Sequence, residues 1–161
     1  MAIRDIIKSG DSALLKRSRP VTEFNDRLHI LLDDMKETLL NSGGIGLAAV
    51  QVGVLRRAVI VMETNVPEDE EAKLIELINP EIIFEAGEQT GPEGCLSFPG
   101  ECGIVTRPNH VRVRAQDRGG NFFEAVGEAL TARCFCHEID HLDGILFSER
   151  AEHMLAPEDL K

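Results

Sequence analysis

His137-Glu138-Ile139-Asp140-His141 falls late in the chain, inside a run from Glu128 to Leu142 that reads as a helix closed by Asp143 and Gly144. Two histidines four apart stand one turn above each other on the same helix face, so both imidazoles can reach one cation. The Glu beside the first can reach a water on that cation. The plainer reading is two surface histidines on a helix, and only the rest of the chain can choose between them.

Upstream of this helix, strands dominate. Val111 to Ala115 alternates apolar and basic residues, and a Gly-rich turn over Asp117 to Asn121 leads into Phe122 to Val126, which predicts an antiparallel hairpin. Ala58 to Met62 reads as a buried strand, while Leu74 to Ile78 and Ile82 to Phe84 read as short strands separated by Asn79 and Pro80. Between them, Asn65 to Lys73 forms an acidic loop or hairpin tip. Further back, Leu28, Leu31, Leu32, Met35 and Leu39 recur at three and four, which predicts an amphipathic helix from Asn25 to Asn41 with Asn25 as N-cap and Gly43-Gly44 ending it. The strands lie in hairpin order without regular helical crossovers. The expected class is therefore α+β, and no internal repeat is visible.

A chain of 161 residues, 43% hydrophobic, is long enough for one sizeable core and too short to suggest two, so residues 1–161 are expected to form a single catalytic domain. The net charge of −11 argues against direct nucleic-acid recognition. No apolar run approaches the ~20 residues of a membrane span, and the first twenty residues lack the apolar block of a secretory signal. A cytoplasmic protein is expected. Its four cysteines, Cys95, Cys102, Cys134 and Cys136, are expected to be reduced.

A catalytic site built on two histidines needs a third protein ligand and an open position. Downstream, the candidates are Glu149, Glu152, His153 and Glu158. Upstream, Glu93-Gly94-Cys95-Leu96-Ser97 offers a thiol in a Gly-flanked turn, and a thiolate suits a divalent transition metal beside two imidazoles. A third segment, Gly44-Ile45-Gly46-Leu47-Ala48-Ala49-Val50-Gln51, combines small residues that allow close backbone approach with a terminal amide donor. Alone, it would pass for a packing loop.

In this order, the three segments resemble the signature motifs of the peptide deformylase family, G-x-G-L-A-A-x-Q, E-G-C-L-S and H-E-x-D-H, at every fixed position. The resemblance covers essentially the whole chain. It implies antiparallel β-sheets packed around a central helix carrying HExxH, with an N-terminal amphipathic helix. It also implies Cys95, His137 and His141 as metal ligands, Glu138 as catalytic carboxylate, and Gln51 with the Leu96 backbone N–H as the oxyanion hole. Fe2+ is the physiological metal that the family implies, with Zn2+, Ni2+ or Co2+ as substitutes. The implied reaction removes the formyl group from N-formylmethionyl nascent peptides and releases formate, with the ribosome near its exit tunnel as a further partner.

Gly44, Gly46 and Gly94 would let a substrate backbone lie close to the protein main chain. Cys134, three before His137 and seven before His141, shares their face, and with Ile45 and Leu130 is expected to line a pocket for the methionine side chain. Cys136 stands where the family commonly has Gln, which puts in doubt any hydrogen bond that a Gln there would make beside the ligands. Cys102 is taken as structural. Asp140 points away from the metal face, and Arg107 is the expected partner of Glu93 or Asp140. The competing readings are an HExxH endopeptidase and a non-catalytic metal-stabilised binding protein.

Overall fold

The computed structural model describes residues 2–64, 66–67, 69–71 and 73–156. Five strands, β1 (Gly46–Ala48), β2 (Ala58–Met62), β3 (Leu74–Ala86), β6 (His110–Gln116) and β7 (Phe122–Glu128), form an antiparallel sheet in the order β1-β2-β3-β6-β7. A second antiparallel sheet joins β4 (Gln89–Cys95), β5 (Phe98–Arg107) and β8 (Ala151–Met154) in that order. The helices are α1 (Asp26–Ser42), α2 (Leu130–Leu142) and the single turn α3 (Phe147–Arg150). The fold is α+β with antiparallel sheets and few helices.

The unbroken apolar run of β2 follows from burial on both faces. Val59 and Val61 pack in one cluster with Phe135, Ile139 and Leu142 of α2, while Ala58 and Ile60 pack in another with Leu32, Met35 and Leu39 of α1. Each end of α1 is satisfied locally. Asn25 accepts a hydrogen bond from the Leu28 N–H, and Gly43 takes a left-handed conformation (φ 75°) that returns its N–H to the Leu39 carbonyl. In β6 the alternation has its usual meaning: Val111, Val113 and Ala115 are buried and Arg112 and Arg114 exposed.

The structure corrects two sequence-based boundaries. Leu74 to Ile78 and Ile82 to Phe84 are one strand, because Asn79 absorbs the irregularity at a positive φ of 51° and the register to β6 shifts between Ile78 and Glu81. The Asn79 side chain holds this bulge by accepting from the Val21 N–H and donating to the Val21 carbonyl and to Gln116 Oε1. The helix carrying His137 and His141 begins at Leu130 rather than Glu128, since Glu128 still pairs with His110 in β7 and Ala129 turns the chain at φ 52°. Of the predicted loop between β2 and β3, Asn65, Glu68 and Ala72 lie outside the described residues, as does Glu158.

Glu76 of β3 ties the sheet to its surroundings through Arg118 and Lys36 of α1. Burial alone would raise its pKa, but hydrogen bonds from Arg118 and Lys36 outweigh that and lower it. A carboxylate with a depressed folded-state pKa contributes stability above its unfolded value of about 4.3, and loses it as pH falls through the folded value. Glu76→Gln should therefore lower the thermal midpoint at pH 7, and the gap to the parent should close as melts are taken below about pH 4. A gap independent of pH would contradict this assignment.

Candidate metal centre

Three candidate ligand atoms meet where the two sheets approach α2. The donor atoms of Cys95, His137 and His141 all lie within 4.8 Å of one another, and Cys95 Sγ is 3.3 Å from His141 Nε2. Ligand atoms around one tetrahedral transition metal stand roughly 3.5 Å apart, so the set fits a single ion. Cys95 ends β4 and pairs with Phe98 across the tight turn into β5, which aims its side chain toward α2. His137 and His141 occupy consecutive turns of α2, with ring centroids 4.9 Å apart. Of the downstream candidates, Glu152 accepts a hydrogen bond from Thr106 on an exposed strand pair, and Glu149 and His153 lie outside this cluster.

His137 is oriented from behind. Its Nδ1 donates to Glu93 Oε2 at 2.8 Å, which leaves Nε2 for an ion, an arrangement typical of metal-bound imidazoles. Glu93 is itself buried and accepts from Arg107 Nε and Nη2 (3.1 and 2.7 Å) and from Arg133 Nη1 (2.9 Å). Arg107 Nη1 reaches on to Asp140 Oδ2 at 2.7 Å, so Arg107 bonds both of the partners expected for it. Burial pushes the Glu93 carboxyl up, but the hydrogen bonds from His137 and Arg107 win and hold it at about 2. For His137, burial lowers the pKa, and the neighbouring Glu138, Cys95 and Glu93 together raise it above its ordinary value. Burial, with the neighbouring His137, pushes His141 down to about 3, so its imidazole is neutral.

Beside the ligands runs a cleft of about 330 Å³, within the usual range for small-ligand sites. It is lined by Gly44, Ile45, Gly46, Gln51, Gly94, Leu96, Leu130, Cys134 and Glu138, together with Cys95 and His137. His141 sits behind it. Glu138 is 4% exposed, and among the described residues its Oε1 has no hydrogen-bond partner, so a buried carboxylate oxygen is held in reserve. Burial raises its pKa to about 7. The Cys134 thiol is pushed well above its ordinary value by burial and stays neutral, and Cys136 lies in the core shared with Phe135.

The Gln51 amide is fixed at both ends. Its Oε1 accepts from the Ala48 N–H at 2.9 Å, which turns Nε2 toward Ser97 Oγ (3.1 Å) and Cys95 Sγ (3.6 Å). Leu96 follows Cys95 at the same turn. Gly46 has to be glycine for contact reasons: a Cβ there would stand 2.5 Å from Cys134 Sγ and 2.6 Å from Glu138 Oε2. Sequence reasoning missed two contributors. Arg133 lies one helical turn before His137, a spacing that could have revealed it, whereas Ser97 carries no signal beyond its place in the second motif.

A sequence model of the family described as polypeptide deformylase matches residues 3–156. A peptide deformylase of Caldanaerobacter subterraneus subsp. tengcongensis is 53% identical over 161 residues, covering 100% of this chain and 97% of that one. A crystal structure of a peptide deformylase from Legionella pneumophila superimposes with a TM-score of 0.85 at 41% identity, covering 98% of this chain and 88% of that one. Another, from Thermotoga maritima, gives 0.87 at 35% identity, covering 94% and 99%.

Proposed function

The chain belongs to the polypeptide deformylase family and is a hydrolase that removes the formyl group from formylmethionyl peptides, and from that premise we propose which residues do the work. Cys95, His137 and His141 would hold one divalent ion, Fe2+ in the cell and exchangeable for Zn2+, Ni2+ or Co2+. The bound ion supplies Lewis acidity and makes water nucleophilic at neutral pH. Residues 1–161 serve as one catalytic domain.

The remaining steps belong to this chain's side chains. Glu138 takes the proton of the attacking water and returns it to the departing methionine nitrogen, so formate and a free amine result. Its pKa near 7 suits both transfers. As the formyl oxygen gains charge, Gln51 Nε2–H and the Leu96 N–H donate to it, each worth about 3 kcal/mol in a fixed geometry. The close approach allowed at Gly44, Gly46 and Gly94 accommodates the peptide backbone, and Ile45, Leu130 and Cys134 provide an apolar wall for the methionine side chain.

No helix among the described residues is long and apolar enough to cross a membrane. A cytoplasmic enzyme meeting formylated chains near the ribosomal exit tunnel is the setting we propose. The single observation that carries the site assignment is the convergence of Cys95, His137 and His141 beside an unpartnered buried Glu138 oxygen. Formate release from a formyl-Met peptide should stop on chelation and return with Fe2+ or Co2+. Cys95→Ser should bind less than a tenth of the parent's metal, and a variant retaining full metal and activity would refute the ligand set.

A further inference from the structure

Residues 7–9 are hydrogen-bonded to both segments assigned as oxyanion donors. The Ile7 N–H donates to the Gln51 carbonyl at 2.8 Å, the Ser9 N–H to the Ser97 carbonyl at 2.9 Å, and Lys8 Nζ to the Leu96 carbonyl at 3.3 Å. Gln51 Nε2 closes the ring by donating to Ser97 Oγ. The two segments belong to different sheets: Gln51 lies in the 3-10 turn Ala49–Val52 after β1, and Leu96 and Ser97 lie in the turn between β4 and β5. Among the described strands, none of the five-stranded sheet pairs with one of the three-stranded sheet. Their relative placement at this point therefore needs other ties, and residues 7–9 supply three.

We propose that residues 7–9 are a positioning strap for the reaction, holding the Gln51 amide and the Leu96 N–H at the mutual spacing that the developing oxyanion requires. The inference rests on the assignment of those two groups as oxyanion donors. Such donors act only within a few tenths of an ångström of their target, and a displacement of about 1 Å can cost about a hundredfold in rate. Anchoring continues upstream, where the Arg4 N–H donates to Thr38 Oγ1 and Arg4 Nε to Asp34, both buried residues of α1, so the strap is tied to a core-packed helix. A strap that only packed would not reach the carbonyls of both donor segments.

Ser9→Pro tests this cleanly. Ser9 is the second residue of the turn Lys8-Ser9-Gly10-Asp11, closed by the Asp11 N–H on the Lys8 carbonyl with Gly10 at φ 98°, a position where Pro is favoured. The substitution removes the N–H and leaves the turn. Against Ser9→Ala, which keeps the N–H, Ser9→Pro should lower kcat about tenfold with KM within twofold and metal content unchanged. In a Gln51→Leu background it should cost no more than twofold further, since with one of the two donors gone there is no mutual spacing left for the strap to hold. A kcat within twofold of Ser9→Ala, or a full tenfold loss in the Gln51→Leu background, would overturn the proposal. Should Ser9→Pro fail to fold, Lys8→Met should lower kcat about threefold with Lys8→Arg restoring it, and an unaffected Lys8→Met would count against the strap. Gln51→Leu alone separates the two layers: a parental kcat overturns the donor assignment and the strap with it, whereas a large loss there beside a silent Ser9→Pro overturns the strap only.

Discussion

Glu138→Gln should release formate from a formyl-methionyl peptide about a thousandfold more slowly than the parent, with one metal ion still bound per chain and KM within a few-fold. The amide has nearly the shape of the carboxylate and cannot accept the proton that water must lose, so the loss falls on the chemical step. General acid–base catalysis contributes typically about a hundred- to ten-thousandfold, and in the proposed mechanism one group serves both transfers. The buried setting sharpens the effect. Glu138 lies among Gly46, Cys134 and His137 at 4% exposure, where bulk water has little room to take over the proton. Steady-state kinetics beside elemental analysis decides the matter: a kcat within tenfold of the parent would remove Glu138 from the mechanism.

Glu93→Ala should be the most destabilising single change near the site, by about 3–5 kcal/mol, because it leaves Arg107 and Arg133 buried without their shared carboxylate. For a chain of this length each kcal/mol shifts the thermal midpoint by about 2–4 °C, so a drop of roughly 10 °C is expected. Asp140 still faces Arg107, and the Val105 carbonyl still accepts from Arg133, which keeps the loss from being larger. Adding Arg133→Met should recover part of it by removing one stranded cation. A midpoint within 3 °C of the parent for Glu93→Ala would mean that the cluster is solvated and carries no such weight. His137 would also lose its Nδ1 acceptor, so metal affinity should fall about ten- to a hundredfold.

How legible was all this beforehand? The helix Leu130–Leu142 and the place of its two histidines on it could be read because periodicity and spacing are local properties, and the three ordered motifs pointed to the family that the relatives and solved structures share. The helix Asp26–Ser42 was readable for the same reason, with Asn25 and Gly43 marking its ends. Strands β4 and β5 were not: Gln-Thr-Gly-Pro-Glu-Gly-Cys and Phe-Pro-Gly-Glu-Cys-Gly-Ile-Val carry too much Gly, Pro and Glu to read as strands, and they pair because each completes the other's ladder. Asn79-Pro80 looked like a break because its bulge is stabilised by Val21 and Gln116, which are remote in the chain. The strap at residues 7–9 left no trace at all, since two of its three bonds are made by backbone N–H groups that nearly every residue possesses.

Both β1 and β4 contribute residues to the cleft wall, and among the described strands each has a partner on one side only. Unpaired margins of this kind ordinarily invite any passing polypeptide to dock alongside. Here one margin spans three residues and the space between the two amounts to about 330 Å³ with buried side chains at its floor. An extended peptide end laid along either margin would find main-chain partners there, a consequence of the strand order rather than of any single side chain.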